Sequence, residues 1–158
     1  MAVPAPYGGR RLIADTSVWS AIHRATSLGN VPPEWVAAVE GDQILMSPVV
    51  QLELLHSART RAEFEAWHER LGQFRSVPLT NSACVAAIQA ISDLASRGSD
   101  GYHRVGLGDA LVAASAQDVN PAVGVLHYNH RHFDRLAEVL AFDSVPLGAP
   151  GTFEPPAT

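Results

Sequence analysis

The chain has 158 residues, enough for one compact domain, and its 47% hydrophobic and 17% charged residues suit a buried core rather than a disordered chain. Eleven basic residues against sixteen acidic ones leave a formal net charge of −5, which argues against coating nucleic acid or membrane by bulk charge. All eleven basic residues are arginine, so a Walker A phosphate loop and Schiff-base chemistry are excluded, and the single cysteine, Cys84, excludes an intrachain disulfide and a cysteine-rich zinc site.

Residues 1–10 hold two prolines and a Gly8-Gly9 pair but no apolar run of a secretory signal, and are expected to be a flexible segment. Leu12-Ile13-Ala14 predicts a short buried strand, followed at once by a helix through Val18, Trp19 and Ile22. Pro32-Pro33 opens a second helix carrying Trp35, Val36 and Val39. Ile44-Leu45-Met46 is the next strand, and Ser47-Pro48 supplies an N-cap and a first-turn proline for a helix through Leu52 and Leu55. A helix over 61–74 leads to a short strand at Val77-Pro78-Leu79. An alanine-rich helix spans 81–97, and another spans 109–117. A strand at 123–126, a helix over 131–140 and an edge strand near Val145 complete the pattern, and 148–158 is expected to be a flexible tail. No stretch approaches the roughly 20 apolar residues of a membrane span, and the protein is expected in the cytoplasm.

Strands separated by helices imply an α/β fold in three layers, α/β/α, around a short, mainly parallel sheet. Ligands in such folds sit outside the carboxyl ends of the strands, near the topological switch point. Three acids fall there. Asp15 leaves the first strand, Glu53 lies in the apolar helix start 49–55, and Asp109 opens a helix that is apolar or small on nearly every side. Each is also a plausible helix cap or solvated residue on its own. Gly106 and Gly108 allow a close approach to the backbone, which capping does not need. Gathered together, three carboxylates repel one another unless a divalent cation lies among them, and oxygen-only donors point to magnesium or manganese.

The segments Leu12-Ile13-Ala14-Asp15-Thr16-Ser17-Val18-Trp19, Ser47-Pro48-Val49-Val50-Gln51-Leu52-Glu53-Leu54 and Gly108-Asp109-Ala110-Leu111-Val112-Ala113-Ala114 resemble, in order and spacing, the successive motifs of PIN-domain nucleases. More narrowly, the chain is similar to the VapC toxins of bacterial toxin–antitoxin pairs. The resemblance implies a PIN-like nuclease domain over 11–147: a Mg2+- or Mn2+-dependent endoribonuclease, usually dimeric, held inactive by a small VapB-like antitoxin. It makes Asp15, Glu53 and Asp109 the acidic metal site. The sequence departs from the family pattern at a fourth acid, where the matching position is Asn129; Asp134 falls about a helical turn beyond. An amide adds no negative charge, so the alternative is a catalytically impaired member of the fold that binds RNA or antitoxin.

The remaining expectations are peripheral. Thr16 or Ser17 orients a ligand or phosphate, or caps the helix. Arg10, Arg11, Arg104, Arg131 and Arg135 flank the crevice as surface arginines or phosphate contacts. His127, His130 and His132 form a rival zinc site, contact RNA, or serve only surface solubility. Trp19, Trp35 and Trp67 pack in a core or interface, and the helices around Trp35, Leu52–Leu55 and Phe64–Leu71 form a groove for an antitoxin segment.

Overall fold

The structure, a computed structural model, describes residues 5–98, 105–119 and 123–148. After a 3-10 turn at Pro6–Gly9 come β1 (Leu12–Ala14), α1 (Thr16–Leu28), α2 (Pro33–Glu40), β2 (Ile44–Leu45), α3 (Pro48–Ser57), α4 (Arg61–Leu71) and α5 (Asn81–Ser96). Then follow α6 (Leu107–Val119), β3 (Gly124–His127), α7 (His130–Leu136) and β4 (Asp143–Pro146). Arg104 and the tail 149–158 lie outside the described residues.

The four strands form one parallel sheet in the order β2-β1-β3-β4. β1 pairs on both sides, Leu12 with Ile44 and with Gly124, Ile13 with Leu45 and with Val125. A central parallel strand is covered on both faces, so its residues are all apolar and fully buried instead of alternating. The chain moves from β1 to β2 in one direction and from β2 across to β3 in the other. Right-handed crossovers therefore send α1–α2 and α3–α6 to opposite faces, which makes three layers. The reversal sets the switch point between β1 and β3.

The helices begin where their cap chemistry dictates. Asp15, Ser47, Thr60 and Thr80 each accept a backbone N–H of the first turn of α1, α3, α4 and α5. On α5, Ala83, Ala87, Ala90 and Leu94 repeat at helical spacing and let it pack closely on α6, whose residues Val112–Ala116 are all buried. The expected strand at Val77-Pro78-Leu79 is not formed. One parallel bridge joins Met46 to Ser76, and Pro78, which has no N–H, ends the pairing there. Among the described residues no helix is long and apolar enough to cross a membrane.

The tryptophans are structural. Trp19 is fully buried and meets Trp35 and Phe74 edge-to-face at 5.1 and 5.0 Å, and the Arg70 guanidinium sits 5.8 Å from the Trp19 and Trp67 rings. The amino-terminal turn is tied down by Gln43, whose Nε2 donates to the carbonyls of Pro6 and Arg10 at 3.0 and 2.9 Å.

Candidate metal centre

Asp15 stands at the switch point because the ladder continues one residue past β1: its N–H donates to the Leu126 carbonyl at 2.9 Å. Its side chain caps α1 and is held by Ser17, whose hydroxyl donates to Oδ2 at 2.8 Å and whose N–H lies at 3.4 Å. The Ser17 hydroxyl also accepts the N–H of Tyr128, at the exit of β3, at 3.4 Å. Asp15 is 6% exposed. Burial, then the charge of Asp109, push its pKa from 3.8 up to about 6, against the opposing bonds from Ser17. Capping and site formation are thus one arrangement: the residue that starts α1 is the acid at the strand end. The helix cap is Asp15 itself, and not Thr16 or Ser17.

Asp109 lies in the first turn of α6. Its Oδ2 receives His132 Nδ1 at 2.6 Å and Asn129 Nδ2 at 3.0 Å. Glu53 reaches in from α3, where its Oε2 accepts the Thr16 hydroxyl at 2.6 Å and its Oε1 lies against Gly108. A methyl group at Gly108 would collide with that oxygen, and one at Gly106 would lie 3.2 Å from Asp109 Oδ2. The two glycines therefore admit the carboxylates themselves to the start of α6.

Asp15 and Asp109 are brought within each other's field, and the Glu53 side chain, from α3, lies against the helix start that carries Asp109 and is fastened to α1 through Thr16. Among the described residues no three His, Cys, Asp or Glu side chains close on one point as they stand. The donor set nevertheless suits a hard cation: all three acids offer oxygen, and the ionised Asp15–Asp109 pair is unfavourable until positive charge is supplied.

The histidines do not form a second centre. His127 is wholly buried, with Nε2 2.8 Å from the Ser144 hydroxyl and its pKa brought down to about 4 by burial and by His130. His130 Nε2 donates to the Leu147 carbonyl at 2.7 Å, and His132 serves Asp109. The zinc and surface readings thus give way to three separate uses, and His132 joins the site unforeseen. Spacing groups it with Asn129, three residues before it and on the same helix face, though not with Asp109. Asp134, two residues further on, is exposed and takes the other side.

Arg10 and Arg11 precede β1 and lie at the amino-terminal edge of the sheet, the end away from the acids, because parallel strands share one direction; Arg10 pairs there with Asp143 at 3.5 Å. Only Arg131 and Arg135, on α7, are at the carboxyl edge among the described arginines expected to flank the crevice. A groove of about 450 Å³ lies between α1, α3 and α4, lined by Arg24, Arg59, Arg70, Leu54 and Trp67 among others. Trp35 faces the core beside Trp19 and is not part of it.

The PIN domain profile matches residues 12–139. The curated protein Ribonuclease VapC18 of Mycobacterium tuberculosis (strain ATCC 25618 / H37Rv) is 29% identical over 125 residues, covering 79% of this chain and 86% of that protein. Among solved structures, DNA-bound VapBC from Salmonella typhimurium superposes with a TM-score of 0.63 at 17% identity, over 85% of this chain and 96% of that one. VapBC2 from Rickettsia felis, bound to a DNA fragment from its promoter, gives 0.64 at 14% identity, over 87% and 98%. At these identities the superpositions speak for the fold, while the profile covers most of the sequence and both ends of the site. The chain belongs to the PIN domain family, and within it is similar to the VapC ribonucleases.

Proposed function

We propose that the protein is the endoribonuclease toxin of a toxin–antitoxin pair, acting on RNA in the cytoplasm through a Mg2+ or Mn2+ ion held by Asp15 and Asp109, with Glu53 binding directly or through water. The observation that carries the metal reading is the buried Asp15 at the switch point in the field of Asp109. The Ser17 hydroxyl orients Asp15, and the Thr16 hydroxyl orients Glu53. A bound divalent cation supplies the positive charge that activates water and offsets the charge gathering on the scissile phosphate. Asp15, Asp109 and Glu53 would hold that charge at the carboxyl end of β1 and β3, and in-line attack of water on phosphorus would break the P–O3′ bond, the water oxygen staying on the 5′-phosphate and a proton passing to the 3′-hydroxyl.

The net charge of −5 is compatible with RNA because three of the negative charges belong to the centre. The groove between α1, α3 and α4 supports a VapB-like partner: its three arginines and apolar floor suit an acidic, apolar segment. Val85 and Ile88, 58% and 71% exposed one turn apart on α5, support a homodimer contact.

Incubation of a structured RNA such as a tRNA or rRNA with the purified chain and Mn2+, followed by end-mapping, tests the reading. Asp15→Asn is expected to lower cleavage at least about 100-fold while circular dichroism stays native. Cleavage that persists in EDTA, or in folded Asp15→Asn, overturns it. The second reading, a silent RNA- or antitoxin-binding member of the fold, draws on the Asn129 amide that faces Asp109 where an acid is expected. Mn2+ titration separates the two, since only the enzyme requires the ion.

A further inference from the structure

The first turn of α7 acts on the site through hydrogen atoms. Asn129, the residue that starts the helix, and His132 lie on one face, and both close on a single atom, Asp109 Oδ2, at 3.0 and 2.6 Å. The side chains of Asp109 and His132 are 18% and 25% exposed, so water competes little for these bonds. A contact of 2.6 Å to a carboxylate is in the charge-assisted range or shorter.

His132 Nδ1 also lies 3.2 Å from the Gly106 N–H, and one nitrogen cannot donate to Asp109 and accept from Gly106 at once. The shorter bond to the charged acceptor places the proton on Nδ1. Two donors on Oδ2, from two residues of one rigid turn, set the plane of the carboxylate and occupy one of its oxygens. Among the described residues the other oxygen accepts no hydrogen bond, which leaves it open to a cation.

We infer that His132 is a positioning residue: with Asn129 it clamps Asp109, so that the segment after β3 serves the site by holding the third acid in place instead of adding a fourth. This inference rests on the metal-dependent reading above, because its consequence is a carboxylate pre-set for a cation. An acid at either position would press a second carboxylate against Oδ2, and the clamp would become a repulsion. Without the clamp, Asp109 would rotate among its conformers, and each cation bound would have to stop that motion.

The experiment is Mn2+ affinity by calorimetry, together with kcat and KM for RNA cleavage, for the parent, His132→Ala, His132→Asn and His132→Gln. The Asn amide can place its N–H near the Nδ1 position, whereas the longer Gln amide falls near Nε2. His132→Ala and His132→Gln are expected to lose about 10–100-fold in Mn2+ affinity, the range for removing an outer partner of a ligand. kcat should fall and KM for RNA stay, while His132→Asn recovers most of both losses. A folded His132→Ala with parental Mn2+ affinity overturns the clamp. If that variant does not fold, the Asn–Gln pair decides, and equal affinities overturn it. A parent that binds no Mn2+ removes the metal reading and the inference with it, whereas a parent that binds while all variants match it removes the inference alone.

Discussion

The amide of Asn129 gains its meaning from its partner. Against the fourth acid of the family pattern it is a missing charge, yet its N–H points to Asp109 Oδ2 at 3.0 Å, where without a cation a second carboxylate would repel the first. Asn129→Asp replaces a donor with an acceptor at that contact. In EDTA at pH 8 the variant is expected to lose about 1–3 kcal/mol of stability, the cost of stripping a partner from a shielded charged group. Urea unfolding measures it, and parental or greater stability would show that the amide does not serve Asp109. The identities of Asp15, Glu53 and Asp109 as candidates were legible from strand ends and helix starts, because placement after an apolar run is a local signal. The partnership of His132 with Asp109 was not, since it joins residues 23 positions apart on two helices.

At the scale of elements, legibility follows the same division. Cap residues and apolar runs located β1, β2, α1, α3 and α5 closely, because each is decided within a few residues of chain. The expected strand at Val77 failed because pairing depends on a neighbour, and Met46 offers only one bridge before Pro78 intervenes. The glycines opening α6 were legible as a place of close approach, though not as to what approaches. Gly108 faces the end of an exposed Glu53 side chain, not a rigid backbone. Gly108→Ala is therefore expected to keep the fold and gain up to about 1 kcal/mol from helix propensity, while the new methyl turns Glu53 out of place and cleavage falls. Thermal melts and RNA cleavage on the same preparation read the two effects. Loss of stability with unchanged cleavage would mean that Glu53 is held elsewhere.

Across the whole molecule, two buried groups pull its pH response in opposite directions. Asp15 keeps its proton in the folded chain up to about pH 6 but loses it near 3.8 when unfolded, so between these values the native state binds more protons and stability falls as pH rises. His127 is the reverse: unfolded it takes a proton below 6.5, folded only below about 4, so stability rises with pH through nearly the same window. Each change corresponds to about 3 kcal/mol, and in the metal-free protein the two largely cancel between pH 4 and 6.5. Asp15→Asn removes one arm. In EDTA at pH 8 it should be more stable than the parent by about 2–3 kcal/mol, and its unfolding free energy should climb between pH 4 and 6.5 where the parent's stays comparatively level. Urea unfolding at half-unit pH steps gives both curves. A variant that tracks the parent at every pH would mean that Asp15 ionises freely in the folded chain, and a carboxylate that ionises freely gives no support to the cation proposed for the site.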